Sequence, residues 1–312
     1  MNPYEADPAK VPRFDRYSTD PLYGRYLPRP DDFKPDPKHF MSTTPEGLLY
    51  WESVLDQCTE KFRMCKMNKG GRRDVFALGS VIIKSNHLKK AGEGQLAEMD
   101  HSIVDSNEVE AIALARTVLG DVKVSEVCFA GRVLFILPDT LRPMSHVHGL
   151  QIKGMAVLVQ QRIPGVTLNV AWPYLTPEQK ASFKNQARCI LQSLQTIRSP
   201  SAKPSFIVPD PSPRKNHGIQ DLEYDILFGD DRDTDTGFMH NDLTESNIII
   251  DNDRIVAVID WEMAGCFGWK AAGEVHVKAR WPIAGVYADF GLGEERMRNM
   301  FFWKDLYEIQ PN

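Results

Sequence analysis

Two short apolar runs, residues 248–250 and 255–259, flank a polar turn, Asp251-Asn252-Asp253. β-Branched runs broken by Asp and Asn predict a tight antiparallel hairpin. Elsewhere the hydrophobic period is helical. Thr43-Thr44-Pro45-Glu46 supplies a cap, a first-turn proline and a capping-box glutamate. Leu48, Trp51, Leu55, Cys58 and Phe62 follow on one helical face. Thr176-Pro177-Glu178-Gln179 opens a second helix in the same way, followed by Phe183, Ala187, Ile190, Leu191, Leu194 and Ile197. A third starts at Asp105 or Ser106, runs to Leu119 and closes at Gly120.

Between these helices the period shortens. Residues 63–67, 75–78 and 81–84 read as strands, joined by the glycine-bearing loop 68–73 and by Gly79-Ser80. Residues 122–129, 132–137 and 155–159 read as further strands, with an irregular insertion at 138–150. Residues 1–42 hold eight prolines and few aliphatic residues. They predict an extended arm, disordered or laid over the surface and pinned by Tyr17, Tyr23 and Tyr26, and no chemistry is read in it. Residues 199–237 hold five prolines and the acids Asp221, Glu223, Asp225, Asp230, Asp231, Asp233 and Asp235. A solvated loop is the preferred reading of that cluster, and attraction of a cationic ligand the alternative.

At 312 residues the chain has room for two lobes, and its 42% hydrophobic and 25% charged content is that of a globular protein. A net charge of −5 gives no reason to expect nucleic acid or an anionic membrane as a partner. Five scattered cysteines with no Cys-x-x-Cys pair suggest reduced thiols and a cytoplasmic protein. The polar start lacks a secretory signal, and no run approaches the roughly 18 apolar residues of a membrane span. His146 and His148 have no third ligand nearby and read as loop residues.

The hairpin carries the chemistry. His240, Asp242 and Asn247 precede its first run; Asp260 and Glu262 follow its second. A hairpin returns its ends to one place, so Asp242, Asn247 and Asp260 are expected to meet. Two carboxylates and an amide offer the oxygen donors that Mg²⁺ prefers. The spacing His-x-Asp-Leu-x-x-x-Asn matches the kinase catalytic loop, and Asp260 stands where a second metal-binding Asp belongs. On His240, Asp242, Leu243, Asn247, Ile248 and the run Ile259-Asp260-Trp261-Glu262, the chain resembles the phosphotransferase family that includes aminoglycoside phosphotransferases and choline kinases. It is most similar to that family's fungal small-molecule-kinase branch.

That resemblance implies an α+β, two-lobed protein-kinase-like fold with a small antiparallel-sheet N-lobe and a mostly helical C-lobe. The corresponding boundaries are an arm at 1–42, an N-lobe at 43–159, a hinge at 160–165 and a C-lobe at 166–312. It implies ATP and Mg²⁺, with Asn247 and Asp260 on the metal and Asp242 accepting or steering the proton of a small-molecule hydroxyl. Val81-Ile82-Ile83-Lys84 resembles the strand that ends in the phosphate-binding lysine. Glu110, in Glu-Ala-Ile-Ala-Leu, is its expected partner, with Glu108 the rival. Ile82 and Ile249 are candidates for the apolar nucleotide pocket, and Gln160 and Gln161 for the hinge that reads adenine through its backbone. Trp261, Trp269 and Trp281 either stack on an acceptor or belong to the core. Glu262 either supports the metal or is structural. The competing function is a catalytically inactive pseudokinase that binds or scaffolds.

Overall fold

The computed structural model describes residues 4–64, 73–88, 100–133, 154–199, 201, 203–229, 235–281 and 293–308. Residues 68–72 of the expected glycine loop 68–73 and the insertion at 138–150 lie outside these residues.

The first layer is an antiparallel sheet built from β2 (Asp74–Leu78), β3 (Val81–Ser85), β5 (Val127–Val133) and β6 (Met155–Gln161), in the order β2-β3-β6-β5. α1 (Pro45–Asp56) lies on it, with Trp51 stacked on Phe129 at 5.2 Å. Trp51, Val54, Leu55, Phe76, Ile83, Phe129 and Val157 form that layer's core. Each fully buried aliphatic side chain contributes about 1.5–3 kcal/mol, far more than helix propensity adds, so the buried stripe sets where α1 sits. The helix stops at Asp56, and a 3₁₀ turn at Glu60–Phe62 brings Phe62 back to the same core.

Two expectations change here. The expected break between strands near residue 130 is absent: β5 runs through Gly131, which pairs with Val157. The Phe129 ring covers Gly131 so closely that a Cβ there would lie 2.9 Å from it. The third helix, α2 (Ser102–Arg116), starts earlier than Asp105. Asp100 accepts from the Ser102 N–H, while Asp105 is buried and holds Arg73 in a two-pronged ion pair. An acid that looks like a cap was claimed by a distant guanidinium.

The second sheet draws strands from across the chain: β1 (Arg25–Tyr26), β4 (Lys123–Val124), β7 (Gly165–Thr167), β10 (Ile248–Asp251) and β11 (Arg254–Val258), in the order β1-β7-β10-β11-β4. β10 and β11 form the expected hairpin, with Asp251 opposite Arg254. Asn252 and Asp253 both have positive φ, as a two-residue turn matching strand twist demands. α3 (Leu168–Ala171) and α4 (Pro177–Gln195) follow β7. Thr176 and Gln179 form a complete capping box at the start of α4.

The remaining part is mainly helical: α5 (Pro213–Asn216), α6 (Asp221–Phe228), α7 (Gly268–Val275), a π-helical turn at His276–Arg280 and α8 (Glu294–Met300). A small sheet, β8 (Ser205–Phe206), β12 (Gly265–Cys266) and β9 (Phe238–Met239), anchors the segment leading to His240. The molecule is thus a two-lobed α+β fold. Asn107 on α2 ties the lobes together, donating to the carbonyls of Glu262 and Ala264 and accepting from the Val208 N–H.

Candidate active site

A cavity of about 300 Å³ lies between the first sheet and the β7–β10 surface. Val75 and Ile82 line it from the first sheet, Ile249 from β10, and Ile259 just past β11. Lys84, Asn247 and Asp260 lie on the same cavity wall set, as do Gln160 and Gln161. Seven of the nine residues picked from sequence therefore face one space. The exceptions are Asp242 and Glu110.

Lys84 is the penultimate residue of β3 and is 7% exposed. Its Nζ lies 2.8 Å from Glu108 Oε2, 2.5 Å from Asp260 Oδ1 and 3.5 Å from Glu262 Oε2. Burial works against its charge, but these three carboxylates hold its pKa well above the ordinary lysine range. The partner on α2 is Glu108, not Glu110. Glu108 is fully buried, shares its inward face with Val104, Ala111, Ile112 and Ala115, and takes a 2.9 Å hydrogen bond from Gln160 Nε2. Glu110 is two residues, about 200°, further round the helix and is exposed. The sequence held the signal: position 108 is a carboxylate on an otherwise apolar stripe.

Gln160 therefore acts through its side chain, bracing Glu108. Around Gln161 the backbone N–H groups are bonded within the protein. The Gln161 N–H donates to the Glu126 carbonyl at 2.8 Å, and that of Arg162 to Ser80 at 2.8 Å. The ladder of β6 extends to Gln161, which leaves these donors engaged within the protein.

Asp242 sits at the centre of a second set of contacts. Asn247 Nδ2 donates to the Asp242 carbonyl at 2.8 Å and to its Oδ2 at 3.1 Å. The Asn247 Oδ1 is thereby left as the metal-capable atom of that side chain. The Ile259 N–H donates to the Asn247 carbonyl at 3.0 Å, closing the root of the hairpin. His240 is fully buried: Nε2 lies 3.0 Å from the Ile259 carbonyl, and Nδ1 accepts the Asp242 N–H at 3.3 Å. That pattern requires neutral imidazole with the proton on Nε2, and burial lowers the His240 pKa to about 4. The turn itself is tight, since Asn241 and Asp260 both adopt left-handed backbone.

One contact of Asp242 was not anticipated. Arg280 Nε lies 3.0 Å from Asp242 Oδ1. The Arg280 Nη atoms hold Glu223 in a two-pronged pair, and Glu223 is 2% exposed. Burial pushes the Asp242 pKa up to about 6, against the pull of Arg280. Within the acidic cluster, Glu223 is thus a buried structural partner. Asp221 and Asp225 stay on the surface beside Arg214, solvated as expected but on α6 and not on a loop. Sequence alone gave no sign that Arg280, 38 positions after Asp242, returns to it. Of the tryptophans, Trp261 is fully buried, and Trp269 and Trp281 pack half-buried against the larger core.

The oxygen donors fit a hard divalent cation. Carboxylate oxygens of Glu108, Asp260 and Glu262 all lie within 4.8 Å of one another. Glu108 is buried and bonded to both Lys84 and Gln160, whereas Asp260 and Glu262, which also touch Lys84, are partly exposed and are the carboxylates better suited to Mg²⁺.

Residues 133–267 match the model of the phosphotransferase enzyme family, a stretch that contains His240, Asp242, Asn247 and Asp260. Similar solved structures include the streptomycin–ATP–APH(2″)-IIa ternary complex, at 13% identity over 85% of this chain and 83% of that one, with a TM-score of 0.40. A thermostable mutant of aminoglycoside phosphotransferase APH(4)-Ia, in ternary complex with AMP-PNP and hygromycin B, matches at 14% identity over 85% and 89%, with a TM-score of 0.40. The macrolide 2′-phosphotransferase MphH from Brachybacterium faecium matches at 11% identity over 83% and 84%, with a TM-score of 0.34. No curated protein matches the chain. No helix among the described residues is long and apolar enough to cross a membrane.

Proposed function

We propose that this protein transfers the γ-phosphoryl group of ATP to a hydroxyl of a small molecule. The observation that carries the reading is the meeting of Lys84 and Asp260 at 2.5 Å in an apolar-walled cavity that Asn247 also lines. Asp242 is hydrogen-bonded to that same Asn247. A lysine, two oxygen ligands and a neighbouring carboxylate are the parts phosphoryl transfer needs.

In this reading Ile82 and Ile249 hold the adenine ring, and Lys84 binds the α- and β-phosphates. Glu108 and Gln160 fix the lysine, whose flexible stem otherwise leaves the ammonium unplaced. Asn247 Oδ1 and Asp260, with Glu262 beside them, hold Mg²⁺. When bound, that ion offsets the charge that develops on the phosphate oxygens. Asp242 orients the acceptor O–H. As the acceptor oxygen bonds to phosphorus and the bond to the β–γ bridging oxygen breaks, the hydroxyl proton passes to Asp242 and ADP departs. A carboxyl with a pKa of about 6 is mostly ionised at neutral pH and a better proton acceptor than an ordinary Asp. His240, neutral and internally bonded, positions Asp242 and takes no proton.

The test is a screen of hydroxylated small molecules with Mg·ATP, reading ADP release and phosphorylated product. Turnover that depends on an acceptor and on Asp242 supports the reading. Nucleotide binding without turnover across the panel favours the pseudokinase. A wild-type protein that binds no nucleotide sinks both.

A further inference from the structure

The arm before residue 43 reaches the cavity. Residues 22–26 line it alongside Gln161, Arg162 and Gly165. In the β1–β7 pair Arg25 lies opposite Val166 and Tyr26 opposite Gly165. Successive side chains of a strand point to opposite faces of its sheet. Arg25 therefore turns to the core side with Val166 and Ile250, where it pairs with the buried Asp15. Tyr26 falls on the other face with Thr167 and Ile249, which line the cavity. Its partner Gly165 has no side chain, so the Tyr26 ring supplies the bulk at that edge of the wall.

The ring is held from several sides. Its Oη donates to Asp32 Oδ2 at 2.9 Å, and the Arg162 guanidinium lies 4.4 Å from the ring centre. Arg162 Nη2 also donates to the carbonyls of Leu22 at 3.2 Å and Arg25 at 2.8 Å. Arg162 is buried and makes no ion pair among the described residues, so these carbonyls and the ring are what its charge rests against. On the side of β7 the Thr167 N–H donates to the Gly24 carbonyl at 2.8 Å. On the side of the first sheet the Ser80 N–H donates to the Phe33 carbonyl at 2.9 Å and the Met41 N–H to the Cys128 carbonyl at 2.8 Å. The arm is thus bonded to both sheets that enclose the cavity.

The β3–β6 register decides which end of a nucleotide the arm meets. Lys84, at the phosphate end, lies opposite Leu158, and Ile82, against the base, lies opposite Gln160. Arg162 continues in that direction, its N–H still bonded to the Ser80 carbonyl, four residues or about 13 Å beyond Leu158. Resting on the nucleotide reading above, we propose that Tyr26 is a base-contacting residue, its ring closing the cavity at the end away from Lys84 and positioned there by Arg162. The ring offers the base apolar area and no contact to phosphate. The arm then does more than cover the surface: it adds affinity for the base of a nucleotide, with or without its phosphates.

The experiment measures binding of adenosine, ADP and Mg·ATP by calorimetry. Tyr26→Ala is expected to weaken all three by the same factor, about tenfold, the size of a lost aromatic contact with a base. Tyr26→Phe keeps the ring and loses only the bond to Asp32; it is expected to stay within about threefold of wild type. Arg162→Met frees the carbonyls of Leu22 and Arg25 and is expected to weaken all three ligands together, as Tyr26→Ala does. Unchanged affinities in Tyr26→Ala overturn the proposal. A loss for Mg·ATP with adenosine unchanged puts the arm at the phosphates and overturns the base assignment, and a Tyr26→Phe loss as large as that of Tyr26→Ala overturns the role of the ring. Hydrogen exchange on the wild type needs no substitution: adenosine is expected to slow exchange at residues 22–26 severalfold, and an unchanged rate there overturns the proposal even where a variant fails to fold. Failure of the wild type to bind any of the three ligands strikes instead at the nucleotide reading on which this rests.

Discussion

Arg280 Nε lies 3.0 Å from Asp242 Oδ1, and the rest of that guanidinium grips the buried Glu223. The pair fixes the position of Asp242 from a helical turn late in the chain. Removing one member of a buried ion pair is costly because the other is left unmatched. Arg280→Met is therefore expected to lower kcat by about 10- to 100-fold, with ATP affinity changed less than threefold. Steady-state kinetics with an identified acceptor, beside calorimetry with Mg·ATP, checks the split. Equal losses in both quantities remove Arg280 from the account of Asp242.

Asp242→Asn is expected to reduce turnover by at least about 100-fold and to leave Mg·ATP affinity nearly intact. Asp260→Ala is expected to do the opposite first, abolishing the Mg²⁺-dependent part of nucleotide binding. A calorimetric titration with and without Mg²⁺ separates the two. Near-normal kcat in the first variant removes Asp242 as the proton acceptor, and unchanged Mg·ATP affinity in the second removes Asp260 from the metal.

The choice between two glutamates is equally open to test. Glu108→Gln leaves Lys84 without its buried counter-charge and Gln160 facing an amide. It is expected to lower kcat/KM for ATP by about 10- to 100-fold and to lower the melting temperature. Glu110→Gln alters an exposed side chain and is expected to stay within twofold of wild type on both measures. The reverse ranking means that the helix sits in another register.

His240 ties acid sensitivity to the fold. Its pKa falls from 6.5 to about 4 because burial disfavours the charged ring. Below pH 6.5 the unfolded chain takes up this proton more readily than the folded one. The stabilisation is therefore complete above that pH and is lost as pH falls towards 4, by on the order of 3 kcal/mol. Urea midpoints at pH 7 and pH 4.5 should drop more steeply for wild type than for His240→Gln. Parallel slopes assign the acid sensitivity to other groups.

What was readable without coordinates is local. The hairpin at β10–β11, the capping box at Thr176 and the lysine near the end of β3 each depend on neighbours a few residues away, and each stands where its own sequence puts it. The grouping of Asn247 with Asp260 is of the same kind, since a two-residue turn fixes both ends of the ribbon. Lys84 is a step further out: its strand is local, but only the packing of the sheet over the hairpin brings its Nζ to Asp260.

The rest is decided by contacts between distant segments. Glu108 displaces Glu110 because α2 turns its apolar stripe inward, a choice made by the surfaces it packs against. Asp105 becomes the partner of Arg73 and not a cap, and Arg280 reaches Asp242 across 38 positions. The arm holds few aliphatic residues and so carries no periodic signal of its own. β7 and Arg162 supply the partners that turn it into a cavity wall. Periodicity and turn chemistry are properties of a short window of chain, whereas which charge meets which, and what encloses a pocket, are settled only when remote surfaces close on one another.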